Sequence, residues 1–294
     1  MGSLNCTKHY RIYEMNDFVV FILSHGRANN VYTLKSLRKH GYTGKVIFVI
    51  DNEDKTAQEY YDNFEDVEMF NKAEIALTFD EGDNFEDRRA IIYARNACFE
   101  IAKKRGYKYF IELDDDYTRF EYRIYSNEEQ TPQNIYNLDS VFLALIDFHK
   151  KTNFATISMA QGGDFIGGKN NRMAKKPTLF RKCMNSFICS TDRPFNFVGR
   201  INEDVNTYVY KQSIGLLMGT IPFVALVQKT TQKNKGGMTD LYLDSGTYVK
   251  SFYTVMYSPS SCKVAPMGDK HKRLHHEINW NCAVPKLIRE NLKK

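Results

Sequence analysis

The sequence has a single tryptophan, seven prolines and no CxxC pair among its six cysteines, Cys6, Cys98, Cys183, Cys189, Cys262 and Cys282. That spacing argues against a structural zinc site and leaves buried thiols as the expectation. A long apolar run is also missing. The stretch around Ile214 to Val227 is interrupted by Gly215, Gly219 and Pro222 and falls short of the roughly 20 residues that a membrane helix needs. The opening MGSLNCTKHYRIYEM lacks the apolar segment of about 7–15 residues that marks a signal peptide, so a reducing, cytoplasmic location is expected. Neither sign of charge dominates strongly. Forty-one Lys+Arg against 35 Asp+Glu give a formal charge of +6, which favours a polyanionic partner without requiring one. With 43% hydrophobic residues among 294, the chain can bury a large core, and disorder and collagen are excluded. No repeat, linker or composition break divides it, so one domain over 1–294 is expected.

What is present is a series of short apolar runs that end in polar clusters. Phe18 to Leu23 (FVVFIL) runs into Ser24-His25-Gly26-Arg27, and helical spacing follows through Val31, Leu34 and Leu37. Val46 to Ile50 (VIFVI) ends in Asp51-Asn52-Glu53-Asp54, and Thr56 to Phe64 is again helical in character. This βαβα order predicts a mainly parallel sheet covered on both faces, with a ligand crevice at the strands' carboxyl ends. From Arg88 to Arg105, Ile91, Ile92, Ala94, Cys98, Ile101 and Ala102 repeat near every 3.6 residues, and Gly106 supplies a stop. Tyr107 to Leu113 (YKYFIEL) is β-prone and delivers the chain into Asp114-Asp115-Asp116. Later come a helix from Leu138 to His149, a strand from Ala155 to Met159 and a Gly- and Lys-rich loop from Gly162 to Lys176. The last third reads as a strand near Ser186 to Ser190, a helix from Glu203 to Gln212 and a strand from Pro222 to Gln228. Thr230 to Met238 (TTQKNKGGM) is expected to be a solvated loop or lid.

Three successive aspartates at a strand end repel one another and disfavour full ionisation. A divalent cation relieves that repulsion. In an extended segment Asp114 and Asp116 point the same way, and ligation by oxygen alone suits Mg²⁺ or Mn²⁺ bridging a diphosphate. A solvated acidic turn is the alternative.

The segment YARNACFEIAKKRGYKYFIELDDD resembles the core of GT-A glycosyltransferases. The resemblance implies an α/β, Rossmann-related fold with a mixed, mainly parallel central sheet flanked by helices. It also implies that Asp114 and Asp116 hold the metal and the donor's diphosphate, with Asp115 between them. Asn202-Glu203-Asp204 resembles the fold's xED motif, which supplies the general base in inverting members; Asp204, with Glu203 beside it, is the expected catalytic position. The same acids also suit the cap and first turn of the following helix. More narrowly, SHGRANN, YARNACFEIAKKRGYKYFIELDDDYTRF, INEDVNTYVY, GGMTDLY, GTYVKSFYTVMYSP and RLHHEINW are together similar to the TET-associated glycosyltransferases of bacteriophages. That similarity implies transfer of a sugar from a nucleotide donor, a UDP-sugar, onto the hydroxymethyl group of 5-hydroxymethylcytosine or 5-hydroxymethyluracil in phage DNA. Mn²⁺ or Mg²⁺ would assist, with no membrane and no obligate protein partner. Residues 1–150 are then expected to bind the nucleotide-sugar and 151–294 the acceptor.

Other residues follow from their chemistry. Ser24, His25 and Arg27 follow the first strand, where backbone N–H groups and a guanidinium can meet a nucleotide. Asp51 can accept from a pyrimidine imide or a ribose hydroxyl, or is a plain turn acid. Arg95 is expected either at the donor diphosphate or in a salt bridge to the acidic run. The GT-A fold often adds a C-terminal histidine to the metal shell, and His276 is favoured over His275 and His271. Trp280 is read as core. For DNA, the candidate phosphate contacts are Lys169, Arg172, Lys175, Lys176, Arg181, Lys182, Lys233 and Lys235, with an ordinary solvated surface as the alternative. A glycan, lipid or protein acceptor, and a catalytically silent binding module, are the rival functions.

Overall fold

Phe18–Leu23 forms β1, every residue of which is buried, as a strand apolar at each position must be when both its faces are covered. The computed structural model describes residues 16–126, 129–165, 176–229, 246, 248–268 and 272–286. β1 pairs in parallel with β2 (Val46–Asp51) and β4 (Tyr109–Asp114), and β3 (Val67–Phe70) extends the parallel set from β2. Beyond β4 the sheet becomes mixed. β8 (Ser186–Ser190) runs antiparallel between β4 and β7 (Phe154–Ala160), while β9 (Leu217–Gln228) lies parallel to β7. β5 (Tyr117–Ser126) and β6 (Glu129–Asn134) complete the far edge in antiparallel pairing. The nine-stranded order is β3-β2-β1-β4-β8-β7-β9-β5-β6, so one α/β sheet draws strands from residues 1–150 and from 151–294.

Helices cover both faces: α1 (Tyr32–Lys39), α2 (Ala57–Asn63), α3 (Lys72–Ala76), α4 (Ile92–Lys104), α5 (Leu138–Lys151) and α6 (Glu203–Ser213). Alternation along β1 assigns the sides. Phe18, Val20 and Ile22 pack with Leu37 of α1 and Phe142 of α5, whereas Val19, Phe21 and Leu23 pack with Ile92 and Cys98 of α4 and Val205 of α6. α4 starts at Ile92 rather than Arg88, whose Nε instead donates to Glu53 at 2.9 Å. β9 starts at Leu217 rather than Pro222, and the ladder tolerates this proline because its register to β7 jumps from Ile221 to Ala225 there. A hairpin of β10 (Cys262–Met267) and β11 (Arg273–Ile278) packs on α7 (Val249–Tyr257), followed by α8 (Trp280–Ala283). Trp280 stacks on Tyr208 with ring centres 5.3 Å apart, against the core beneath α4 and α6. Among the described residues the cysteines are free, and no helix is long and apolar enough to cross a membrane.

Candidate active site

The carboxyl ends of β1, β2 and β4 lie side by side because the three strands are parallel neighbours, so the polar residues after each meet in one crevice. The turn from β4 to β5 carries Asp114, Asp115 and Asp116, and Thr33 in the first turn of α1 clamps it. Thr33 Oγ1 donates to the Asp114 carbonyl at 2.5 Å and accepts from Tyr117 N–H at 2.9 Å. The N–H groups of Tyr32 and Thr33 donate to the Asp115 carbonyl at 2.8 and 3.2 Å. From the other side Lys229 N–H reaches the Asp116 carbonyl at 3.2 Å, and Gln228 Nε2 donates to Asp116 Oδ2 at 3.2 Å. The backbone of the acidic turn is therefore fixed by α1 and β9 without help from a ligand.

The three carboxylates have different surroundings. Asp114 stays 17% exposed at its side chain and accepts from Arg95 Nη2 at 3.0 Å. Asp115 is buried and accepts from Ser24 Oγ at 2.6 Å, with Arg27 Nε 3.2 Å away. Burial pushes its pKa up to about 6 against the pull of Arg27 and Ser24. Asp116 is also pushed up to about 6, first by burial and then by the charge on Asp114, and its Oδ1 has no hydrogen-bond partner among the described residues. A partnerless buried carboxylate oxygen beside two further acids fits a hard divalent cation. Among the described residues no group of three or more His, Cys, Asp or Glu side chains converges to hold an ion. The expected set of Asp114, Asp116 and His276 is thus not assembled as one shell, and an ion at the turn would need donor oxygens to complete it.

Beside this turn, Ser24 Oγ lies 2.6 Å from Tyr60 Oη, which also accepts Arg27 N–H at 3.0 Å. Gly26, at φ +68°, adopts a left-handed conformation that glycine permits, and its N–H donates to Asp54 at 2.7 Å. Arg27 thereby sits at the crevice rim with a side chain 27% exposed. Asp51 is held between His25 Nδ1 at 2.7 Å and Lys72 Nζ at 2.9 Å. Burial alone would raise the pKa of Asp51, but these two hydrogen bonds hold it below the usual range. The sequence did not single out Tyr60, Lys72 or Thr33; each acts across the fold on a partner distant in the chain, and only Asp54 stood in a quoted strand-end cluster.

The hydrogen bond to Asp51 raises His25 above its ordinary 6.5, against a smaller opposing effect of burial. Its stabilising contribution is therefore complete below about pH 6.5 and disappears as pH rises through the raised value. Replacing His25 by Gln is expected to flatten the decline in melting temperature above neutrality. With the imidazole 46% exposed, the effect is about a few tenths of a kcal/mol; identical pH profiles for the two proteins refute the linkage.

Arg95 is 1% exposed, so it does not face the crevice as a diphosphate contact. Its Nη2 binds Asp114 and its Nε lies 3.1 Å from Glu203 Oε1, with Glu112 3.7 Å from Nη1. The signal was present in the sequence: Arg95 falls four residues after Ile91 and three before Cys98, on the apolar stripe of α4. One guanidinium thus ties the acidic turn to the first turn of α6. Burial, then the charge on neighbouring Asp204, pushes Glu203 up to about 7 despite Arg95. Asp204 is half-buried in the same turn, its Oδ1 accepting Val205 N–H at 2.7 Å. Asn202 occupies the cap position at φ +64° without a side-chain cap bond; its amide donates to Thr254 Oγ1 at 2.7 Å instead.

His276 on β11 is buried against His275, with ring centres 4.2 Å apart. Of the expected phosphate contacts, Arg181 pairs with Asp164 and Lys176 is exposed. Lys169, Arg172, Lys175, Lys233 and Lys235, the Thr230–Met238 segment and His271 lie outside the described residues.

Comparison with known proteins gives one family match, to a model described as TET-associated glycosyltransferase, over residues 18–237. No curated protein sequence matches the chain. Among solved structures, glucosyl-3-phosphoglycerate synthase from Mycobacterium tuberculosis, in complex with Mn²⁺ and UDP-glucose, is 7% identical with a TM-score of 0.47, covering 90% of each chain. Its complex with Mg²⁺ and UDP gives 8% identity and a TM-score of 0.45, covering 91% of each. TarS residues 1–349 from S. aureus is 13% identical with a TM-score of 0.43, over 81% of this chain and 65% of that one.

Proposed function

This chain belongs to the TET-associated glycosyltransferase family, and from that premise we propose that it moves a sugar from a UDP-linked donor to a 5-hydroxymethylpyrimidine, cytosine or uracil, in phage DNA. The observation that carries the reading is the Arg95 bridge, which sets Asp114 of the acidic turn and Glu203, next to Asp204, on one guanidinium. The bridge supports a reading in which donor and acceptor groups meet at a common point. A metal-binding end and a proton-accepting end are the two parts that sugar transfer to a hydroxyl requires.

Asp114 and Asp116 would hold Mn²⁺ or Mg²⁺, with Asp115 behind them tied to Ser24 and Arg27. Such an ion supplies positive charge against the departing diphosphate. Arg27, at the rim, adds a second positive charge on that side. Ser24, Arg27 and the His25–Asp51 pair form the wall that orients the nucleotide. Asp204 accepts the proton of the attacking hydroxyl, and attack from the face opposite the leaving group inverts the anomeric centre. Residues 1–150 then contribute the donor side and most of 151–294 the acceptor side, in the cytoplasm of the infected cell.

The test is mass spectrometry of nucleosides released from hydroxymethylated DNA after incubation with Mn²⁺ and a mixture of UDP-sugars. A hexose or pentose increment on the hydroxymethylpyrimidine is expected. Unmodified DNA together with labelling of a glycan, lipid or protein acceptor overturns the assignment. Chelating the metal is expected to lower transfer by about a hundredfold or more, since charge on the leaving group is the largest single electrostatic contribution; full activity in EDTA argues against an ion at Asp116.

A further inference from the structure

Around Asp204 the charge differs from that at the acidic turn. Lys182, four residues before the start of β8, and Lys250, in the first turn of α7, are both within electrostatic reach of Asp204 and of each other. Arg273 and His275 of β11 lie close to Lys250, and His276 is close to both lysines. The fold builds this convergence. Thr220 Oγ1 of β9 donates to the Lys182 carbonyl at 3.1 Å, and α7 packs against both α6 and β11.

Two features of the cluster call for a ligand. Lys182 is half-buried, yet among the described residues no carboxylate oxygen lies within 4.0 Å of its ammonium; burial accordingly pulls its pKa down. His276 is 8% exposed, and its Nδ1 is buried with no hydrogen-bond partner among the described residues. Burial, then the positive charges of His275, Lys182 and Lys250, press His276 down to about 3, so the ring is neutral, and in the tautomer with its hydrogen on Nδ1 the partnerless nitrogen is a donor. A second cation would be repelled here. An anion would take the lone ammonium, the neighbouring cations and the unused ring nitrogen together.

We propose that Lys182, Lys250, Arg273 and His276 form a subsite for a backbone phosphate of the acceptor strand, one that seats the modified nucleotide with its hydroxymethyl group at Asp204. This deepens, and rests on, the reading of DNA as acceptor. The donor diphosphate is the other possible source of such a phosphate, but the charges that act most strongly on Asp115 and Asp116 are Asp114 and Arg27, not these lysines. Asp204 thus adjoins Glu203, which Arg95 ties to the acidic pole for the leaving group, and also feels the basic pole for the incoming strand.

The experiment uses Lys182→Gln and the more exposed Arg273→Gln, each checked for an unchanged melting temperature. Three quantities are measured: affinity for a single-stranded oligonucleotide carrying 5-hydroxymethylcytosine, affinity for UDP with Mn²⁺, and the His276 ring resonance during titration with inorganic phosphate. For each variant the oligonucleotide affinity is expected to fall about tenfold at low salt, and its slope against log salt to flatten by about 0.7 for the lost contact. UDP affinity stays level. Phosphate shifts His276 in the wild type and not in Lys182→Gln. A fall in UDP affinity with unchanged oligonucleotide binding assigns the cluster to the donor and overturns the proposal. Variants that bind the oligonucleotide as the wild type does overturn the subsite alone, whereas a wild type without affinity for it overturns the nucleic-acid acceptor as well.

Discussion

Asp204→Asn is expected to lower the transfer rate by about a thousandfold or more, the upper part of what a positioned base contributes, while affinity for UDP with Mn²⁺ changes less than about twofold. The asymmetry follows from where Asp204 sits. Among the described residues its carboxylate accepts the N–H of Val205, and asparagine's carbonyl oxygen keeps that bond. Arg95 is held by Glu203, Asp114 and Glu112, so the acidic turn proposed for the donor is not disturbed. What is lost is the ability to take a proton. Single-turnover transfer with saturating donor, beside isothermal titration of UDP, reads the two effects separately; a variant within tenfold of wild type would falsify the role of Asp204.

The second large effect concerns stability. Replacing Arg95 by Met is expected to cost about 3–5 kcal/mol, because removing one member of a buried ion pair leaves the others uncompensated. Asp114 and Glu203 lose their guanidinium, and Glu112, fully buried, keeps no positive neighbour. In the wild type Glu112 is pushed well up by burial, and Glu203 reaches about 7. A carboxylate raised in the folded state is most favourable when protonated, so its contribution falls as pH rises from the ordinary carboxylate range through that value. Without Arg95 this dependence steepens. Urea denaturation at pH 5 and pH 8 checks it: the deficit of Arg95→Met is expected to be smaller at pH 5, and an equal deficit at both rules out buried carboxylate charge as its cause. Arg95→Lys recovers only part, since an ammonium's three donors sit on one atom and cannot reproduce the planar fork whose separate nitrogens reach Glu203 and Asp114.

The strands that line the crevice were legible because each is a continuous apolar run ending abruptly in polar residues. FVVFIL and VIFVI became β1 and β2, and the acids after YKYFIEL arrived at the adjacent strand end. β6, of sequence EQTPQN, carried no such signal: an edge strand exposed to water needs no apolar face, and its proline reads as a breaker. α7, of sequence VKSFYTVMY, carries no clear apolar repeat because Ser251 and Thr254, buried polar residues, lie on its inner side. Arg95 shows the deeper limit. Its place on an apolar stripe was written in the chain, but which way a buried arginine turns depends on Asp114 and Glu203, fixed only once β4 and α6 are packed. The basic pole likewise joins Lys182, Lys250 and His276 from separate elements, and no spacing along the chain announces it.

The polar seam between α6 and α7 has a practical meaning for re-engineering. Thr254 accepts from Asn202 and donates to Asn206 at 2.9 Å, and Asn206 in turn donates to the Ile201 carbonyl at 2.8 Å. The helix bearing Lys250 is therefore geared to the turn bearing Asp204, and neither can be shifted by itself. Grafting α7 from a relative to change the target would misalign the reaction unless its threonine and both asparagines travel as one cassette.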